Sequence, residues 1–360
     1  NAPPPPPERL PITPIEVMTT GQRDYLQAWQ RKCYEAGLVG ADYPKDYGGH
    51  GHTGCQRIAN QELSRAKVPF LINIVGLSMA APTILRHGTE AQKRRFIPGC
   101  LSGEDIWCQG FSEPGAGSDL AGQRTSAVRD GDDWIINGEK TWNTGIHAAH
   151  RDIIFARTSG EPGEARGITA FLVDPPDPGF AVEEYLWTFN MPTDHAHITL
   201  RDVRVPNSAV FGAEGAGLQV VQHFFNENRI RQAASSLGAA QYCADRAVAY
   251  ANERAPFGKK LSTNQAIQFP LVELATQAEI LRLLIRKITR GIARGTQSRI
   301  IKRFDHGQAR WVQDAGLASE RQSLRASQAV ARLAGLPPAT VARAKSVLDR
   351  LEAGRAKTGG

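Results

Sequence analysis

Cysteine is scarce in this chain, five in 360 residues, and Cys33, Cys55, Cys100, Cys108 and Cys243 are scattered with no CxxC pair among them. That odd, dispersed set excludes a disulfide framework, and with no secretory n-region or h-region ahead of it the usage predicts a reduced, cytoplasmic protein. Long hydrophobic runs are lacking as well. The longest weakly polar stretch, Phe70 to Leu85, is too short to span a bilayer and contains Asn73, Ser78 and Pro82, so a membrane protein is excluded. Aromatic residues make up only 7% of the chain, against 41% apolar and 22% charged residues overall. This is an ordinary globular composition, which rules out fibrous and broadly disordered classes and leaves room for one large or two to three smaller domains. The chain opens on Asn1 rather than Met, as a fragment or a processed form would.

The net charge of +7 is unevenly placed: from Arg282 to Gly360 there are 17 Lys and Arg against 5 Asp and Glu. The remainder is mildly acidic. A basic last fifth suits a polyanion, but an arginine-rich solvated helix face explains it as well, and nucleic acid is not the expected partner.

Residues 1–19 are proline-rich, beginning with Pro3 to Pro7, and read as extended and mobile. From about Thr20 the spacing of Tyr25, Leu26, Trp29 and Cys33 predicts a helix that stops at Gly37. Gln56 to Ala66 reads as a second helix and Phe70 to Leu85 as a buried one. Thr89 with Gln92 three residues on predicts a capping box opening a short basic helix that ends near Pro98. At Ile106 the periodicity changes. Gly131-Asp132 and Asn137-Gly138 offer two turn signals around a short apolar strand, and Ile168 to Val173 reads as a strand ended by Pro175. Helical periodicity resumes from about Glu214 to Tyr250, and again from Gln268 to Ile288, with a seam of Leu271, Leu274, Ala278, Leu281, Ile285 and Ile288. The expected class is α+β, divided into an N-terminal helical domain (20–104), a middle β-domain (105–207), a helical domain (208–295) and a divergent basic tail (296–360).

The most informative stretch is Phe111-Ser112-Glu113-Pro114-Gly115-Ala116-Gly117-Ser118-Asp119. Its small residues let a ligand approach the backbone, and its hydroxyls supply donors at a strand end. It lacks the GxGxxG spacing of a dinucleotide fold and the lysine of a P-loop, so neither phosphate motif is present. His195 and His197 have no third ligand at metal spacing, and no metal is expected.

Two further segments accompany that stretch: Asn137-Gly138-Glu139-Lys140-Thr141-Trp142-Asn143-Thr144, and Arg254-Ala255-Pro256-Phe257-Gly258 with Gln265. Together, over about residues 22–292, they resemble the acyl-CoA dehydrogenases, flavin enzymes with an α-helical domain, a β-domain and a four-helix domain. Alone, Trp142 would read as a core aromatic and Arg254 as a surface charge. The resemblance implies FAD as cofactor. It implies further that Ser112 and Thr144 hydrogen-bond the flavin ring, that Trp142 packs against it, and that Phe111 and Gly117 belong to the same site. Ser118 and Arg229 match positions near the acyl-CoA. Arg254, Phe257 and Gln265 match residues that reach the FAD of a neighbouring subunit, which implies a homo-oligomer, a dimer or a tetramer. Phe189 to Ala196 and Asn226 to Ile230 look like the bacterial and mitochondrial subgroup of acyl-CoA dehydrogenases ten and eleven.

The reaction implied is α,β-dehydrogenation of an acyl-CoA thioester, with a hydride passing to flavin N5 and the electrons on to an electron-transfer flavoprotein. It needs a desolvated carboxylate with a raised pKa over the α-carbon. In a minority of members that glutamate immediately precedes the arginine matched by Arg229. Here the position holds Asn228, and Glu227 is turned about 100° away on a helix, so the catalytic base is not identified. After about Arg294 the usual family segments are absent, and residues 328–352 look instead like the final segment of DNA mismatch-repair ATPases. The alternatives to an active dehydrogenase are a catalytically incomplete homologue that binds flavin or acyl-CoA, and an interaction protein with a basic tail.

Overall fold

The computed structural model describes residues 16–293 apart from 176, 177, 189 and 190, together with Pro6 and residues 9–11. The basic tail and the segment like mismatch-repair ATPases lie outside the described residues. Two compact units emerge, one through Phe225 and the other from Asn226 onward.

The first unit begins with four helices: α1 (Thr20–Glu35), α2 (Gln56–Arg65), α3 (Ala81–His87) and α4 (Glu90–Ser102). Helix α1 starts at a capping box in which Gln22 N donates to Thr19 Oγ1 and Thr19 N donates to Gln22 Oε1. It buries Leu26, Trp29 and Cys33, the stripe that its spacing predicts. The expected capping box at Thr89 and Gln92 forms, but α4 runs through Pro98 to Ser102 instead of ending there. Proline removes one helical hydrogen bond; here Phe96, Ile97, Cys100 and Leu101, buried on both sides of it, hold the helix together.

The stretch from Phe70 to Leu85 is not one helix. A π-helical turn at Gly76–Ala80 leads into α3. The wider turn accommodates Pro82, which has no N–H to give and whose ring crowds the preceding turn. Ahead of it Asn73 is fully buried. Its Nδ2 donates to the carbonyls of Cys100 (2.9 Å) and Asp105 (2.8 Å), and its Oδ1 accepts from Trp107 N at 2.9 Å.

Strands β1 (Trp107–Gly110), β2 (Ser126–Asp130), β3 (Asp133–Thr144), β4 (Arg151–Arg157), β5 (Ile168–Val173), β6 (Phe180–Thr188), β7 (Met191–Pro206) and β8 (Val210–Phe211) form one sheet, ordered β6-β7-β3-β2-β4-β5-β8 with β1 parallel to β4. The hairpin at Gly131-Asp132 closes between Asp130 and Asp133, as expected. Asn137-Gly138, however, is no turn. Strand β3 passes straight through it with a register shift against β7, and a Cβ on Gly138 would lie 2.7 Å from the Cα of Thr125, so only glycine fits.

One core of this unit packs Ile84, Phe96, Ile97, Trp107 and Phe155 with Val220, Val221 and Phe224 from the first turns of α5 (Gly217–Glu253). A second core, around Trp134, Ile136, Ile154, Phe171 and Ile198, lies within the sheet.

In the second unit, α5 is followed by a connector of two 3-10 turns, Pro256–Gly258 and Leu261–Thr263, and then by α6 (Gln265–Ala293). Arg282 donates to Gln241 Oε1 at 2.9 Å, linking α6 to α5. Ala278 lies at the centre of the expected seam and is buried, but Leu274 is 49% exposed and Thr276 is buried in its stead.

Candidate functional site

The segment after β1 is shaped by one buried carboxylate. Glu113 accepts from Arg124 N at 2.6 Å, from Thr125 N at 3.0 Å and from Lys140 Nζ at 2.8 Å. A tight turn returns the chain from Glu113 to Ala116 through paired backbone hydrogen bonds. Lys140 has no exposed side-chain surface and also donates to Phe111 O and Gln123 Oε1, each at 3.2 Å. Burial pulls the Lys140 ammonium down to about 8, against the attraction of Glu113. Burial alone would push Glu113 up, but Lys140 and the two backbone donors bring its carboxyl below the usual range, so both partners are charged at neutral pH. This pair ties the loop from Phe111 to Ser118 to β3.

Thr141 N donates to Ser112 O at 2.9 Å, which brings Ser112 beside the end of β3. There the register against β7 shifts again, between Lys140 and Asn143, and Trp142 takes a left-handed φ of 62°. A bulky residue rarely adopts that conformation, and its cost is of the kind held at functional sites. The indole is 50% exposed. Thr144 Oγ1 lies 2.8 Å from His195 Nδ1, and the His195 ring meets the Trp142 ring edge-on at 6.2 Å between centroids.

The structure thus brings Ser112, Trp142 and Thr144 together with the Gly117 loop. Phe111 joins them through its backbone, since its ring packs inward against Phe155 (4.6 Å) and Phe224 (5.8 Å). Space over Gly115 and Gly117 is open, and Ser118 is exposed. The half-buried Ser112 hydroxyl makes no hydrogen bond among the described residues. An exposed aromatic wall, a free hydroxyl beyond a strand end and open room over small residues suit a planar, apolar-faced ring with a polar edge.

In the second unit Arg254, Phe257 and Gln265 cluster at the α5–α6 connector, all exposed. Phe257 is wholly exposed at a left-handed φ of 54°. Arg229 and Asn228 are half-buried on α5, and the side chain of Glu227 lies outside the described residues.

Three matches to family models cover most of the chain: acyl-CoA dehydrogenase N-terminal domain over residues 12–104, middle domain over 108–203 and C-terminal domain over 215–309. Over 278 residues the chain is 34% identical to the short-chain specific acyl-CoA dehydrogenase of Bos taurus mitochondria, covering 76% of this chain and 67% of that one. The chain belongs to the acyl-CoA dehydrogenase family. Its activity is accordingly FAD-dependent acyl-CoA dehydrogenation, and FAD is its cofactor. The fold agrees with the crystal structure of an acyl-CoA dehydrogenase from Geobacillus kaustophilus, at TM-score 0.65 and 29% identity, over 86% of this chain and 78% of that chain. A chain from a structure of the electron transferring flavoprotein of Acidaminococcus fermentans matches at TM-score 0.61 and 31% identity, over 76% of this chain and 71% of that one. The family likeness is wider than residues 22–292, reaching 12 at one end and 309 at the other.

Periodicity and motif reading missed the histidine and the lysine. Without a third ligand at metal spacing His195 carried no assigned role, yet it is the hydrogen-bond partner of Thr144. Its neighbour in sequence, His197, pairs with Glu139 at 3.0 Å, and among the described residues no group of three or more side chains could hold a metal ion. Two carboxyls in the sheet have the raised pKa a base requires. Burial pushes Asp152 up to about 6, against its hydrogen bond from Asn143, and Asp194 to about 7, against backbone donors including Gly145. Both are enclosed, at 0% and 1% exposure, so neither reaches a substrate carbon in this conformation. Among the described residues, no helix is long and apolar enough to cross a membrane.

Proposed function

We propose that the loop from Phe111 to Ser118 and the end of β3 hold the flavin ring of this acyl-CoA dehydrogenase. Trp142 serves as the wall, and the Ser112 and Thr144 hydroxyls serve the polar edge. FAD supplies the hydride acceptor. The chain's own part is to seat that ring and shield one face of it. The Glu113–Lys140 pair fixes the backbone from which Ser112 projects, and Ser118 and Arg229 serve the acyl-CoA. Arg254, Phe257 and Gln265 serve a second copy of the chain in a dimer or tetramer, the guanidinium suiting a pyrophosphate. Electrons leave for an electron-transfer flavoprotein, and the reaction is cytoplasmic. The likeness to acyl-CoA dehydrogenases ten and eleven at 189–196 and 226–230 belongs to this reading, as do the divisions at 20–104, 105–207, 208–295 and 296–360. The tail's likeness to mismatch-repair ATPases adds no activity to it.

The observation that carries the proposal is the convergence of the strained, half-exposed Trp142 with Ser112, fixed by the Thr141–Ser112 hydrogen bond. The test is the visible spectrum of the purified protein, recorded before and after anaerobic addition of acyl-CoA thioesters of graded length. A flavin band near ~450 nm that bleaches is the expected result. A second reading, a homologue that binds flavin without turning over, is favoured by Asn228 and by the enclosure of Asp152 and Asp194. A flavin band that no thioester bleaches selects that reading. Absence of any flavin from protein refolded with FAD overturns both.

A further inference from the structure

The Thr144 hydroxyl has a single proton and few places to direct it. Its close partner is His195 Nδ1 at 2.8 Å, and the carbonyl of Trp142 is the next, at 3.3 Å. The contact is built into the sheet, because Thr144 and His195 stand directly opposite each other in the β3–β7 ladder. Around the imidazole, the Trp142 ring closes one edge and Asp194 Oδ1 lies 3.5 Å from Nδ1, beyond hydrogen-bond range for an atom already engaged by Thr144. His195 Nε2 makes no hydrogen bond among the described residues, and the side chain keeps 18% of its surface exposed. Burial lowers the His195 pKa, so the ring is neutral near pH 7 and carries one proton on one of two nitrogens.

A neutral imidazole in this place supports two arrangements. With the proton on Nδ1, His195 donates to Thr144 and the hydroxyl proton is free to point away from the histidine. With the proton on Nε2, Thr144 donates to Nδ1 and presents only lone pairs to whatever lies in front of it. A flavin asks for both in turn: oxidised N5 accepts a hydrogen bond, and reduced N5 carries a hydrogen and donates one.

We propose that His195 is a positioning residue of the flavin site, setting through its tautomer whether the Thr144 hydroxyl donates or accepts toward N5. The proposal rests on the reading above that Thr144 faces the flavin, and takes N5 as the ring atom it faces. Exchange between tautomers gives one proton to water at one ring nitrogen and takes one up at the other, so no net charge or electron moves. The reduced state depends on His195 more than the oxidised state does. A Thr144 that accepts from N5–H must send its own proton elsewhere, and without the imidazole only the distant Trp142 carbonyl is left.

The test compares His195→Leu, which keeps bulk without a hydrogen bond, and His195→Asn, whose amide group can stand where Nδ1 stands and donate or accept. The readout is the ratio of oxidised to reduced bound FAD in each holoprotein, read from its absorption at one fixed poise with a redox dye. In His195→Leu the ratio shifts about tenfold toward oxidised flavin, the size of one lost hydrogen bond. In His195→Asn it returns to the wild-type value. Adding His195→Leu to Thr144→Val changes nothing further, because the two residues act through one contact. A wild-type ratio in His195→Leu, or an effect additive with Thr144→Val, overturns the role of His195 and leaves the flavin site standing. A wild-type ratio and spectrum in Thr144→Val instead removes Thr144 from the flavin, and the proposal falls with that reading.

Discussion

Lys140 Nζ stands 2.8 Å from Glu113 Oε1, and the two side chains are 0% and 6% exposed although 27 positions separate them. The pair joins the loop that carries Ser112 to the strand that carries Trp142 and Thr144. Removing one partner strands the other charge in a dry interior, which typically costs about 3–5 kcal/mol. Lys140→Met is therefore expected to lower the unfolding free energy measured by urea titration by an amount in that range and to release FAD. The double variant Lys140→Met, Glu113→Gln should recover much of the stability and little of the FAD retention, since the Phe111 carbonyl stays unanchored. Equal FAD retention in wild type and Lys140→Met would show that the pair does not organise the loop.

Asn73 does comparable work in the helical part, satisfying two carbonyls and one N–H that α4, β1 and the turn between them leave inside the core. Asn73→Ala strands the Asp105 carbonyl and the Trp107 N–H, while the Cys100 carbonyl keeps a hydrogen bond from Gln30 Nε2 at 3.2 Å. At about 1–3 kcal/mol for each buried group left unpaired, a loss of about 2 kcal/mol or more is expected by chemical denaturation. A loss below about 1 kcal/mol would mean that water enters and replaces the amide.

Local signals were legible where local chemistry decides. The Thr89–Gln92 capping box formed because both hydrogen bonds lie within one turn, and the hairpin at Gly131 because the turn needs only its own two residues. Pro98 misled because the cost of a proline inside a helix is local, whereas the burial of Phe96, Ile97 and Leu101 that offsets it is tertiary. At the candidate site the motifs located Ser112, Trp142 and Thr144, but the alternation along β3 concealed what supports them. The register shift between Lys140 and Asn143 turns both inward, three apart, where a regular strand would put them on opposite faces. The partner of Thr144 lies 51 residues away on β7, and only the ladder brings it there.

Asp194 makes stability depend on pH in a definite direction. Its carboxyl is raised from an ordinary 3.8 to about 7, so between about pH 4 and 7 the native chain holds a proton that the unfolded chain has lost. The native state binds more protons across that window, and stability falls as pH rises through it. Asp194→Asn preserves shape and cannot ionise. Relative to wild type it should therefore gain stability between pH 5 and pH 8, by at most about 3 kcal/mol. Urea titrations of both proteins at the two pH values measure this. A gap that stays constant would place the Asp194 titration in its ordinary range.

The backbone at Trp142 offers a comparison in which stability and cofactor binding move apart. A side chain held at φ 62° costs about 1–3 kcal/mol, a penalty glycine escapes and alanine does not. Because the indole is half exposed and touches His195 only edge-on, removing it forfeits little packing in the cofactor-free chain. Trp142→Gly is expected to be more stable than Trp142→Ala by about 1 kcal/mol when both are measured without FAD by denaturant titration. Both should lose FAD on gel filtration, because the aromatic wall is gone from each. If the alanine variant matches the glycine variant in stability, the left-handed turn carries no strain. If either variant retains FAD as wild type does, Trp142 is not the wall of the site.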